Sequence, residues 1–223
     1  MIRDKRFIQK RNLYYLKKDG KKIQRFKPWL GDAFSFLYDR IMEKSIFPKK
    51  FGGDILRHLE ILSRELKLIK NSRILELGTG SGSAAQFLDN SNHYTGSDIS
   101  PGLLKIAVKR FSSAGFQESK FFVVGADVLP FDDQSFDVCL CILSFNFFND
   151  AEAVISEIKR VLHSGGVFFC SVPVPERKER SSPIRGTLYS EKEFETMFQE
   201  KGFDFETIPA ANGALLYFKA VLR

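Results

Sequence analysis

Cysteine is scarce in this chain. Only Cys139, Cys141 and Cys170 occur among 223 residues, all within apolar runs. Cys139 and Cys141 stand two apart on one expected strand, a poor geometry for a disulfide, and the spacing matches no zinc pattern. They read as reduced core thiols. No apolar run reaches the roughly 18 residues that a membrane span needs. The opening residues, MIRDKRFIQK, scatter charge where a secretory leader would carry an apolar core, so a cytoplasmic chain is expected. Histidine is limited to three residues, and no carboxylate–histidine cluster has ligand spacing, so no metal site is expected. Internal repeats and low-complexity tracts are missing too. What remains is a chain with 43% hydrophobic residues, enough for one sizeable α/β domain with an appendage.

Positive charge is unevenly spread. The net charge is +7, yet residues 1–28 hold 11 Lys/Arg against two Asp, so the rest of the chain is slightly acidic. This stretch reads as a basic N-terminal arm, either a solvated leader or a contact for an anionic membrane or a nucleic acid. Peripheral membrane contact would fit its interspersed Phe7, Ile8, Leu13, Tyr14, Tyr15 and Leu16.

Residues 29–70 form a second region. Leu30, Phe34, Leu37, Tyr38 and Ile41 fall on one helical face, and Ile55, Leu59, Leu62, Leu66 and Ile69 mark another, opened by Asp54 as N-cap. From residue 71 to 223 the chain alternates. Strands are expected at 73–77, 93–98, 120–127, 136–143, 167–172, 203–209 and 214–222. Helices are expected at 82–90, 101–114, 150–162 and 190–201. The fold class is therefore α/β: a doubly wound, Rossmann-like, mostly parallel seven-stranded sheet, with a C-terminal antiparallel hairpin and N-terminal helices. Ligands of such sheets sit at the carboxyl ends of the strands, near the switch point.

The stretch RILELGTGSGSAAQFLDN (73–90) is a strand entering a glycine turn. A dinucleotide fingerprint needs a third glycine where Ser83 stands, and no G-K-[ST] follows to make a Walker loop. Glu76, two residues before Gly78, is awkward beside a pyrophosphate. It suits a cationic, phosphate-free nucleoside cofactor, and S-adenosylmethionine, with its ammonium and sulfonium, is one. Asp98 ends the second strand, where a carboxylate can take both ribose hydroxyls. Asp127 ends the third expected strand, within reach of an exocyclic adenine amine. Ile99 and Val128 follow these acids and could sandwich the ring.

ILELGTGSG, YTGSDISPGLL, GADVLPFDDQSFDVCLCIL and EIKRVLHSGGVFFCSVP together resemble the successive motifs of class I S-adenosylmethionine-dependent methyltransferases. They look like the type-11 subgroup, which includes quinone-biosynthesis and other small-molecule methyltransferases. The likeness covers about residues 54–222. It implies cofactor contacts at Glu76, Gly78, Thr79, Gly80, Gly82, Asp98, Ile99, Asp127 and Val128, with Leu143 near the methionine part. It also implies that residues 29–70 act as a substrate lid. Many relatives carry a histidine after the fourth strand. Here SFNFFND supplies Asn146, which cannot act as a general base. Tyr38 and Asn146 are the substrate-side candidates, and His58 reads as a packing or surface residue.

The resemblance implies methyl transfer to a small acceptor, and 23 phenylalanines together with the basic arm favour an apolar, lipid- or quinone-like one. Two other readings stay open: a nucleic-acid or protein methyltransferase that docks through the arm, and a non-catalytic cofactor-binding subunit. Every expected cofactor contact lies from Glu76 onward, so loss of residues 1–28 should leave cofactor binding intact.

Overall fold

Glycine and acidic punctuation divides the chain into the expected strands, and the computed structural model assembles them into one sheet. It describes residues 7–18, 22–23, 26, 38–177 and 183–223. The central strand is β4 (Arg73–Leu77), which runs parallel to β5 (His93–Asp98) on one side and to β7 (Phe136–Ile142) on the other. Outward lie β6 (Ser119–Val123), parallel to β5, and β8 (Leu162–Pro173), parallel to β7. The C-terminal hairpin, β9 (Phe203–Thr207) and β10 (Leu215–Leu222), closes that side, with β10 antiparallel to both β8 and β9.

Helices cover both faces, as a parallel sheet requires. On one face, α2 (Ile55–Leu66) and α3 (Pro101–Ser113) bury Leu62, Leu66, Leu104 and Phe111 against Ile74, Leu140 and Tyr217. On the other, α4 (Ala151–Val161) and α5 (Glu191–Glu200) bury Ile155, Ile158, Phe194 and Phe198 against Leu75, Cys139 and Phe218. All three cysteines are buried and free. The caps were readable in advance: Asp54 accepts from the Leu56 N–H at 2.9 Å, and Ser100, followed by Pro101, accepts from Leu103 at 3.2 Å. Before α2, a short helix α1 (Tyr38–Ile41) runs into a π-helical stretch, Met42–Phe51. The expected helix-face residues Leu30, Phe34 and Leu37 lie outside the described residues.

Three expectations need correction. The N-terminal stretch is not simply an arm outside the folded body. Phe7–Lys10 (β1) and Leu13–Lys18 (β2) form a hairpin, β3 (Lys22–Ile23) pairs with β2, and β2 runs parallel to β6, giving ten strands among the described residues. Aromatic packing holds this extension: Tyr14 stacks on Phe122 at 4.8 Å, and Phe7 meets the same ring edge-on at 5.3 Å. The helix expected at 82–90 shrinks to a 3-10 turn at Ser83–Gln86. Downstream, Asp89 accepts from Ser91 N–H, and Asn92 donates to the Ile69 and Asp89 carbonyls. Such side-chain bonds to the backbone compete with a continuing helix. Finally, β6 ends at Val123, so Asp127 lies on the segment beyond the strand rather than at its tip.

Candidate functional site

The turn after β4 is tied down from three sides. Gly80 N–H donates to Asp98 Oδ2 at 2.8 Å, and Ser100 N–H donates to Asp98 Oδ1 at 2.8 Å. Asp98 thus links the glycine turn to the start of α3. Thr79 N–H donates to the Ser97 carbonyl at 3.0 Å, and Arg110 of α3 donates to Ser81 Oγ at 2.9 Å. Gly82, at φ +78°, could carry no side chain: a Cβ there would stand 2.8 Å from the Ala107 Cα of α3. Gly80, at φ +55°, is different. A Cβ there would approach nothing closer than 3.9 Å. The turn is packed behind Gly82 and open in front of Gly80.

Two cavities meet at that opening and share Gly78, Gly80, Ile142 and Leu143. The smaller, about 390 Å³, is lined by Asp98, Ile99, Asp127, Phe147 and Phe26. Ile99 is 42% exposed and Phe147 48%, apolar groups left at its mouth. The larger, about 880 Å³, is lined by Glu76, Thr79 and Gly82 at one part and by Met42, Phe47, Ile55, Leu59 and Leu62 at another. Leu143 stands between them with φ +56°, a conformation that costs a branched residue energy and is held by a 2.8 Å bond from its N–H to the Ser171 carbonyl.

Glu76 is buried and receives a hydrogen bond from the Tyr94 hydroxyl. Burial pushes its carboxyl up to about 8; the Tyr94 bond opposes this, and Asp98 adds to it. Tyr94 itself is driven well above the ordinary phenol range, first by burial and then by the Glu76 charge. A cation placed beside the carboxyl would favour its ionised form. The chemistry of these groups fits S-adenosylmethionine: Glu76 for its cationic methionine end, Asp98 for ribose hydroxyls, and apolar Ile99 beside the base. Among the described residues no group of side chains could hold a metal ion.

The remaining sequence candidates are distributed unevenly. Val128 is 66% exposed and is not among the residues lining either cavity, whereas Asp127 lines the smaller one. Asn146 is buried but also lines neither. Its Nδ2 donates to the Arg185 carbonyl at 2.6 Å and its backbone carbonyl accepts from the Thr187 N–H at 2.8 Å, so it fastens the segment leading to α5. Tyr38 opens α1, immediately before the stretch whose Met42 and Phe47 line the larger cavity. Reading the sequence missed Tyr94, whose strand position beside Ile74 puts it on the Glu76 face. His58, expected as a packing or surface residue, is buried at the larger cavity beside Phe47, bonded to Tyr217 at 2.9 Å and pushed down to about 4 by burial.

A doubly wound sheet with a glycine turn, a buried acid before it and a second acid at the tip of the next strand defines a nucleoside-cofactor protein of the S-adenosylmethionine type. A family model described as a methyltransferase domain, type 11, matches residues 75–170. The demethylmenaquinone methyltransferase of Thermotoga maritima is 31% identical over 160 residues, which is 69% of this chain and 66% of that protein. The sterol 4-C-methyltransferase of Caenorhabditis elegans is 32% identical over 129 residues, 54% of this chain and 38% of that protein. The chain thus matches two thirds or less of these relatives' own length. A solved S-adenosylmethionine-dependent methyltransferase of Thermotoga maritima, described as a possible histamine N-methyltransferase, shares the fold with a TM-score of 0.63 and 20% identity, covering 87% of this chain and 98% of that one. The chain belongs to the class I S-adenosylmethionine-dependent methyltransferases, of the type-11 kind.

Proposed function

We propose that this chain transfers a methyl group from S-adenosylmethionine to a small acceptor with an apolar, quinone- or lipid-like body. The observation that carries the reading is the larger cavity, which continues from Glu76 and the glycine turn to an apolar wall of Phe47, Leu59 and Leu62. Relatives named for demethylmenaquinone and for a sterol support the same class of acceptor.

The cofactor supplies an activated methyl group on sulfonium. The residues of the chain bind, orient and exclude water. Asp98 and Ile99 would hold the nucleoside in the smaller cavity, whose lining Asp127 shares. Glu76 faces the methionine end, where a cation lets the carboxyl ionise. Leu143, held by its bond to the Ser171 carbonyl, lines both spaces and would form a wall between donor and acceptor. The apolar wall keeps water from the acceptor. No residue is required to remove a proton when the acceptor atom is already ionised.

The test is incubation of the full chain with methyl-labelled S-adenosylmethionine and a fractionated lysate. Label should move into the fraction extracted by organic solvent. Label in RNA or protein, or cofactor binding with no transfer to any fraction, would refute this acceptor class.

A further inference from the structure

Among the polar side chains lining the larger cavity, His58 stands on its apolar side, where holding the cofactor leaves it without a role, and a chain of hydrogen bonds stands behind it. Tyr217 of β10 stands level with Ser171 of β8, which stands level with Ile142 of β7, a residue shared by both cavities. His58 reaches Tyr217 from α2, and Asn212 reaches it from the connection between β9 and β10.

The direction of this chain of hydrogen bonds is fixed from one end. The Asp54 backbone N–H can only donate, and it donates to Asn212 Oδ1 at 2.8 Å. The other arm of that amide is therefore the NH2 group, which donates to Tyr217 Oη at 2.9 Å. The phenol hydrogen then goes to His58 Nδ1, 2.9 Å away. The reverse arrangement would leave that hydrogen buried without an acceptor, which is costly. A neutral imidazole that accepts at Nδ1 carries its proton at Nε2. His58 is 3% exposed and lines the cavity, and among the described residues its imidazole is hydrogen-bonded to Tyr217, through Nδ1. Nε2–H is the donor left for whatever fills the space.

We infer that His58 is a specificity-determining residue, whose Nε2–H, oriented through Tyr217 and Asn212, selects an acceptor carrying a carbonyl or ionised hydroxyl oxygen on an apolar body. The inference rests on the proposed acceptor role of the cavity. Phe47, with its ring 5.0 Å from the imidazole, and Leu62 provide the apolar surroundings. A desolvated donor of this kind rejects an analogue without the oxygen, because the N–H would then be left unpaired.

Two measurements test it. With histidine labelled by 15N, the chain has only three imidazoles, and His58 is assigned by its loss in His58→Phe. Wild type should show the Nε2–H tautomer, and Tyr217→Phe should shift the population toward Nδ1–H. An Nδ1–H tautomer in wild type overturns the inference by itself. The second measurement is calorimetry with 1-tetralone and its oxygen-free parent tetralin, on the full chain saturated with S-adenosylhomocysteine. Tetralone should bind about fivefold more tightly, as one net hydrogen bond implies, and the ratio should fall close to one in His58→Phe. Equal wild-type affinities overturn the inference. So does a His58→Phe variant that loses S-adenosylmethionine affinity while keeping the ratio, because Nε2–H would then serve the cofactor. If wild type binds the cofactor but neither probe, the acceptor reading of the cavity falls, and the role of His58 falls with it.

Discussion

Glu76 is a carboxyl group that the folded chain holds against its charge. Its value of about 8 lies far above the ordinary 4.5, so the folded state keeps a proton that the unfolded state gives up. The sign follows from linkage: stability from this residue is fully present below about pH 4.5 and is lost as pH rises through 8, by an amount on the order of 3–5 kcal/mol. Thermal unfolding of the cofactor-free chain from pH 5 to 8.5 should therefore show a declining midpoint, and Glu76→Gln should flatten the decline. A cation beside the carboxyl reverses its preference. S-adenosylmethionine affinity should rise from pH 6 toward 8 with release of a proton, read by calorimetry in buffers of different ionisation heat; an unchanged heat across buffers would mean that Glu76 does not face the cation. Asp98 invites a second substitution. Its oxygens hold Gly80 and Ser100 in addition to any ribose. Asp98→Ala should weaken cofactor binding by about 1.5–3 kcal/mol, since charge-assisted bonds are lost, and should lower the unfolding midpoint as well. Undiminished affinity in a folded Asp98→Ala chain would place the ribose elsewhere.

At the scale of elements, the N-terminal hairpin changes what a truncation should do. Phe26 lines the smaller cavity, and β2 covers the edge of β6, so removing residues 1–28 should lower both thermal stability and cofactor affinity. Tyr14→Ala, which deletes the ring stacked on Phe122, should cost about 1–2 kcal/mol in urea unfolding. A truncated chain with wild-type affinity and midpoint would show the hairpin to be dispensable. The sequence hid this element for physical reasons. Its two-residue turn, Arg11–Asn12, has Arg11 at φ +55°, where glycine is usual, so no turn signal marks it. Its partner strand is remote, and dense charge suggests solvation. By contrast, β4 and β7 were legible, since buried parallel strands read as apolar runs, and β5 (HYTGSD) was legible from its place between them and its closing acid. The same division holds in the site. Glu76, Gly78 and Gly80 belong to one short motif, and Asp98 closes the next strand, so all four could be read from local patterns. Tyr94, His58, Tyr217 and Asn212 meet through contacts that no local pattern displays, the His58–Tyr217 bond joining residues 159 apart.

For the whole molecule, cofactor binding and stability are coupled. A ligand that binds only the folded chain at a hundred times its Kd adds about 2.7 kcal/mol, which for a chain of this size raises the midpoint by roughly 5–10 °C. S-adenosylmethionine and its demethylated product should each do this, and NAD should not; a shift with NAD alone would contradict the assignment. The N-terminal hairpin also sets a timetable for the growing polypeptide. Tyr14 and Tyr15 leave the ribosome more than a hundred residues before Phe122 and Val123, the strand positions they join. At a synthesis rate of roughly 5–20 residues per second, the nascent hairpin waits several seconds without its neighbour. During that interval a basic strand edge and the rings of Phe7 and Tyr14 are open to chaperones or to other chains. Only when β6 arrives can the hairpin dock, while the strands from β7 to β10 are still to be made.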